Sequence, residues 1–193
     1  MSAEDSIPQM QTREGKKYID ITIEEAKPEH VEGIQEVFYR TWLDTYPNKE
    51  AGITIEDIEA RYKGRNGEER LAKRRADIIN LESNKKYFVA LDGKTVVGLC
   101  RVEKNEKENR LNAIYVLPEY QAQGIGKRLW HEAQTFFDPS KDTYLGVATY
   151  NQKAIDFYSK LGFRDTGKRY TDEWTRMESG AVLPEMDMVL RAT

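Results

Sequence analysis

Cysteine is nearly absent from this chain: Cys100 is the only one among 193 residues, which excludes an internal disulfide. Set in the apolar run "VVGLC", it is expected to be a buried strand thiol. Histidine is almost as scarce, with only His30 and His131, so a histidine-rich metal site and a Ser-His-Asp triad have few places to start. No metal is expected. Neither sign of charge dominates, because 30 Lys and Arg face 33 Asp and Glu for a formal net charge of -3. The charges are interspersed, which argues against a nucleic-acid footprint. No apolar run approaches the length of a membrane span, and residues 1–17 form a polar N-terminal tail without the apolar core of a signal peptide. No membrane partner and a cytoplasmic setting are therefore expected.

What is present is periodic. "YIDITIEEA" alternates Ile19, Ile21 and Ile23 with polar residues, as a half-buried strand does. Val31, Ile34, Val37, Phe38 and Trp42 then recur at helical spacing after Pro28, which suits a first turn. Thr54 and Asp57 have the spacing of a capping box, Gly64 suits a helix stop, and a charged helix is expected from about Glu68 to Leu81. Two apolar runs flank Asp92-Gly93-Lys94 as a hairpin, and "RLNAIYVLP" is a further strand ended by Pro118. A helix from Gly124 to Phe137, a strand "DTYLGVATY", a helix from Asn151 to Gly162 and two last strands complete the pattern. The order predicts one α/β domain over residues 18–193, with a mixed sheet and helices on both faces.

The junction "VLPEYQAQGIGKRLW" places Gly124 and Gly126 between a strand and a helix. Helix N-termini carry unpaired N–H groups and partial positive charge, and glycine lets an anion approach the backbone closely. A phosphate or pyrophosphate cradle follows. A dinucleotide fingerprint would need glycine where Leu129 stands, and a P-loop would need glycine at Gln121 and a hydroxyl at Arg128. The match is to Gln-x-x-Gly-x-Gly preceded by Val-x-Pro, with a tight glycine turn as the bland alternative.

With "IYVLPEYQAQGIGKRL" followed after one strand by "NQKAIDFYSKLGF", the chain resembles the GCN5-related N-acetyltransferase (GNAT) family. The resemblance implies a central twisted, mostly antiparallel sheet of about seven strands, and acetyl-CoA as co-substrate. It assigns the pantetheine arm to the strand residues Ile114, Tyr115 and Val116. The pyrophosphate falls to the backbone of Ala122, Gln123, Gly124, Ile125, Gly126 and Lys127, with Lys127 and Arg128 either adding charge nearby or simply facing solvent on the helix. Asn151, which also reads as a helix cap, would bond the pantetheine arm. Tyr158, two helical turns further on, would be the catalytic acid that protonates the departing thiolate, with a core aromatic like Phe157 as the alternative. Many members carry a glutamate near the position of Asn112 or at that of Gly146, and this chain has neither. Proton removal from the amine then falls to water, to Tyr115 or to a carboxylate from elsewhere.

"TWLDTYP" bears Trp42 and Tyr46 four apart on one helix face and resembles polyamine acetyltransferases of the PaiA type, with ordinary core packing as the alternative for Trp42. The acceptor implied is a polyamine or similar small-molecule amine, with Trp42 and Tyr46 in its pocket and Asp44, Glu173, Glu178 and Glu185 as candidate carboxylates. Acetylation of a protein N-terminus or lysine, and a non-catalytic acyl-CoA-binding role, are the other readings. A homodimer through an exposed sheet edge is possible.

Overall fold

A computed structural model describes residues 20–64, 66–79 and 84–192. The tail 1–17, the domain start at residue 18, Ile19, and the expected helix end at Leu81 lie outside the described residues.

Seven strands form one sheet in the order β1-β2-β3-β4-β5-β7-β6. They are β1 (Ile21–Glu25), β2 (Lys85–Asp92), β3 (Thr95–Lys104), β4 (Asn109–Val116), β5 (Thr143–Ala148), β6 (Arg164–Thr171) and β7 (Pro184–Leu190). All neighbouring pairs are antiparallel except β4 with β5. The helices are α1 (Val31–Thr45), α2 (Ile55–Arg61), α3 (Glu68–Ile79), α4 (Ile125–Phe136) and α5 (Gln152–Lys160). Element order and fold class are those expected from the sequence.

Local chemistry sets the boundaries. Pro28 opens a single 3₁₀ turn before α1. The Thr54 hydroxyl accepts from Asp57 N–H at 3.1 Å while the Asp57 carboxylate accepts from Thr54 N–H at 3.0 Å, closing the capping box on α2. Gly93 turns the β2–β3 hairpin at φ +60°, a conformation costly for residues with a Cβ. In β3, Val97 is the extra residue of a bulge, since Ala90 pairs with Gly98 and Leu91 with Val96. The alternation of faces resets there. Val96 meets Gly33 of α1, whereas Gly98 lies under Leu129 of α4. The two helices thus cover opposite faces, and the core fills between them with Val31, Ile34, Val37, Val89, Leu99 and Leu129, all buried.

The feature that positions the site is the parting of β4 and β5. They pair only at Asn109 with Thr143 and Arg110 with Tyr144, yet β4 continues to Val116 and β5 to Ala148. Asn109 fixes the point of departure. Its buried side chain donates to Asp138 C=O at 2.8 Å and Lys141 C=O at 3.1 Å and accepts from Asp138 N–H at 3.0 Å. A second bulge, at Asn112 (Arg101 pairs with Ala113, Val102 with Leu111), bends β4 further from its neighbour.

Candidate active site

The strand edge exposed by this parting is chemically active. Leu117 N–H donates to Val97 C=O at 2.9 Å. In an antiparallel ladder, alternate residues turn their polar backbone away from the partner, so those of Ile114 and Val116 face the gap that β5 leaves. The Val116 carbonyl is taken by Gln121 Nε2 at 2.9 Å, and its N–H remains directed into the gap.

Beyond Val116 the chain makes a 3₁₀ turn over Pro118–Tyr120 and then a loop into α4. Ala122, at φ +59°, is the only described non-glycine residue with positive φ, and Gly124, at φ +81°, caps α4. Two positive-φ residues flanking one of negative φ are the kind of alternation that turns successive N–H groups toward one point, a geometry suited to an anion. Ala122, Gln123 and Gly124 are solvent-exposed. Gly126 serves a different end: a Cβ there would meet Phe157 Cζ at 3.3 Å, so its absence lets α4 approach α5. Ile125 is buried in the core and contributes its backbone alone. Lys127 is exposed and Arg128 donates to the Ile21 carbonyl at 2.7 Å. Arg128 therefore anchors β1 and is a correction to its expected place beside the phosphates.

A cavity of about 380 Å³ runs along the gap. It brings together Ile114, Tyr115, Val116, the Ala122–Lys127 loop apart from the exposed Gln123, Asn151 and Tyr158, and also Trp42 and Tyr46. Asn151 Oδ1 accepts from Ala154 N–H at 3.1 Å, the cap expected from sequence. Tyr158 is buried edge-on to Phe157 and Phe163, with centroids 5.2 and 5.8 Å apart. Burial, with Tyr115 and Cys100 nearby, pushes its hydroxyl well above the usual tyrosine range, so it keeps its proton. Cys100 is buried as expected, and burial raises its thiol too.

At the other end, Trp42 packs edge-on to Tyr46 at 4.6 Å, and the Tyr46 and Tyr115 hydroxyls are 2.8 Å apart. The Trp42 face is already covered by the Arg61 guanidinium, 4.8 Å from its centroid. Arg61 also reaches the Trp174 ring at 5.5 Å and donates to the Trp174 carbonyl at 2.6 Å. Trp42 is thus core and cavity wall at once. Trp174, 57% exposed, lines this end.

Of the four candidate carboxylates, Asp44 and Glu185 line the cavity; Glu173 and Glu178 are exposed, and Glu173 pairs with Arg176 at 2.6 Å. Glu185 is the residue whose weight the sequence understates. On β7 it pairs with Ala148 of β5 and Tyr170 of β6, and it is only 9% exposed. Its Oε1 is 3.2 Å from where a Cβ on residue 146 would stand, and the Tyr170 hydroxyl fills the remainder of that space. Burial, then Asp172 and Asp187, push its carboxyl up to about 7. No sequence periodicity announces this, because it depends on β7 lying against β5.

Among the described residues, no group of three or more His, Cys, Asp and Glu side chains is placed to hold a metal ion, and no helix is long and apolar enough to cross a membrane.

Comparison with known proteins places these features in context. The model of the acetyltransferase (GNAT) domain matches residues 53–179. The uncharacterized protein YrkN of Bacillus subtilis is 28% identical over 153 residues, 78% of this chain and 74% of that protein. The N-alpha-acetyltransferase RimI of Mycobacterium tuberculosis is 34% identical over 87 residues, 43% of this chain and 54% of that protein. Among solved structures, the PaiA N-acetyltransferase of Thermoplasma acidophilum in complex with coenzyme A has the same fold at a TM-score of 0.65 and 24% identity, over 87% of this chain and 98% of that one.

Proposed function

Since the chain belongs to the GNAT acetyltransferase family, we propose that it transfers acetyl from acetyl-CoA to the primary amine of a small cationic molecule, a polyamine in the first instance. The observation that carries this reading is the gap between β4 and β5, which runs from the exposed Ala122–Gly124 loop down to the buried Tyr158 hydroxyl.

The gap fits the co-substrate part by part. The loop N–H groups between two positive-φ residues suit a pyrophosphate. The Ile114 backbone and the Val116 N–H, which face the gap left by β5, suit the amides of a pantetheine arm, which would lie where a further strand would lie. Asn151 spends Oδ1 on its own helix and offers its amide N–H groups to the same arm.

Acetyl-CoA supplies a thioester whose carbonyl carbon is the electrophile. The Val116 N–H is directed to meet negative charge on the carbonyl oxygen as an amine adds. Tyr158 keeps its proton because burial disfavours its anion, so its hydroxyl can hydrogen-bond the departing sulfur and pass its proton as the nitrogen gives one up.

Two observations support a small cationic acceptor. The acceptor end is lined by the exposed Trp174, tied to α2 through Arg61, an apolar wall against which the chain of an aliphatic amine can pack. Both carboxylates on the cavity, exposed Asp44 and buried Glu185, attract a polycation. Because Arg61 covers Trp42, the attraction comes from carboxylates rather than from an aromatic cage.

The test is thiol release from acetyl-CoA in the presence of spermidine, spermine, amino acids, aminoglycosides or peptides, with acetyl-CoA binding measured separately. Release with the polyamines is expected. Release with peptides alone would transfer the reading to protein acetylation, and tight binding without turnover would overturn catalysis altogether.

A further inference from the structure

The two carboxylate positions available to the family on β4 and β5 are held here by Asn112 and Gly146, yet an amine must lose its proton before it attacks. Asn112, the bulge residue of β4, is exposed and has no basic atom. The Tyr115 and Tyr46 hydroxyls bond one another at 2.8 Å and are both pushed up by burial, so neither yields an anion near neutral pH. Of the two carboxylates lining the cavity, Asp44 is exposed, with nothing to shield a proton transfer from water.

We infer that Glu185 is the general base of the reaction, delivered from β7 to the corner of the cavity beside Gly146, where the absent side chain leaves room for it and for the Tyr170 hydroxyl. The inference rests on the acetyltransferase reading above. It is carried by the close approach of Glu185 Oε1 to residue 146, 3.2 Å from where a Cβ would stand beside the Tyr170 hydroxyl, and by the place of Glu185 on the cavity that holds Tyr158 and Val116. The carboxyl oxygen of a glutamate on β5 is replaced by one reached from its neighbour. The glycine is then a requirement, because a side chain at 146 would displace both Glu185 and Tyr170.

The surroundings suit the task. The carboxylates of Asp172 and Asp187 face Glu185, as do the hydroxyls of Tyr46, Tyr115 and Tyr170. Of the cations near this corner, Lys168 is engaged by Asp187 Oδ2 at 3.1 Å, and Arg110, which acts on Tyr170, by Glu108 Oε1 at 2.7 Å. Burial and like charge hold the carboxyl near the pH at which a base is most effective. An incoming ammonium meets the carboxylate as a counter-ion and then gives it a proton. The neutral nitrogen adds to the thioester carbon, and the C–S bond breaks. The nitrogen's second proton, carried by water, makes good the one Tyr158 gives to sulfur. Glu185 returns the first to solvent, so one proton is released per transfer.

The experiment combines two measurements on the full chain. In one, carbon-13 NMR of glutamate carboxyls, with Glu185→Gln to assign the resonance, follows ionisation without any acceptor. A midpoint near 7 is expected, and one in the ordinary carboxylate range overturns the inference. In the other, kcat/KM is measured against pH for the wild type and Glu185→Gln with whichever amine the panel identifies. The wild type should show a limb near pH 7. The variant should lose that limb and about 100-fold in kcat at neutral pH, with acetyl-CoA affinity kept. Its loss should shrink for an acceptor whose amine is already neutral at that pH. A variant with wild-type rate and limb sinks Glu185 alone, whereas a wild type that releases no thiol with any amine sinks the acetyltransferase reading and the base with it.

Discussion

The hydroxyl oxygens of Tyr46 and Tyr115 lie 2.8 Å apart, and this bond ties the C-terminal end of α1 to β4, the strand that parts from its neighbour. Both rings are largely buried on the cavity wall, so removing one hydroxyl deprives the other of its partner. Tyr46→Phe and Tyr115→Phe should each cost about 1–3 kcal/mol, and the double variant less than the sum. Urea unfolding of the four proteins reads the coupling. Strict additivity would show that the bond is not made.

Tyr158→Phe separates acid from scaffold. The ring stays edge-on to Phe157 and Phe163, and only the hydroxyl is lost. Turnover should fall by about 100-fold, the scale of a positioned acid, while acetyl-CoA affinity stays within about twofold of wild type. Equal losses in both would make the hydroxyl a binding group.

How much of this was legible in the sequence depends on how local each feature is. The Thr54–Asp57 box, the Asn151 cap and the Gly93 turn were readable because their partners lie within four residues. The loop from Ala122 to Gly126 was readable as a motif, although the positive φ of Ala122 was not. The clamp at Asn109, the bulge at Asn112 and the entry of Glu185 beside Gly146 depend on pairings such as Gly146 with Asp187, which no local pattern encodes. Arg128 shows the same limit from the other side. Its position in the motif suggested phosphate, and tertiary packing gave it the Ile21 carbonyl.

The two glycines of the loop should respond differently to alanine. At Gly124 a methyl meets nothing within 4 Å, but φ is +81°; at Gly126 the backbone is ordinary helix and Phe157 stands 3.3 Å away. Gly124→Ala should therefore cost about 1 kcal/mol through conformation and weaken acetyl-CoA binding by reorienting the loop N–H groups. Gly126→Ala should be milder, and Gly126→Val worse, because it wedges α4 from α5. Thermal melts with calorimetric titration of acetyl-CoA check both, and equal effects of the two alanines would contradict the distinction.

Gly146→Ala places a methyl where the Tyr170 hydroxyl oxygen sits. The variant should lose about 1–3 kcal/mol by overpacking. Tyr170→Phe removes that oxygen and leaves the ring carbon at an ordinary 3.6 Å, so the pair should recover most of the loss. Urea unfolding of the cycle decides it. No recovery would mean that Glu185 or the backbone, rather than Tyr170, resists the methyl.

Glu185 also leaves a mark on stability that needs no substrate. Its carboxyl is raised from 4.5 to about 7 in the folded protein, so the fold favours the protonated form. That preference contributes fully below about pH 4.5 and is lost as pH rises through about 7. Glutamine at this position carries no charge to lose. The stability of Glu185→Gln relative to wild type should therefore rise between pH 4.5 and pH 8 by about 1–2 kcal/mol, once allowance is made for the part of the carboxyl that keeps its water. Urea unfolding at the two pH values measures the difference. The other titrating groups are common to both proteins and cancel, so a gap unchanged with pH would place the Glu185 carboxyl in the ordinary range and remove the electrostatic support for its role as base.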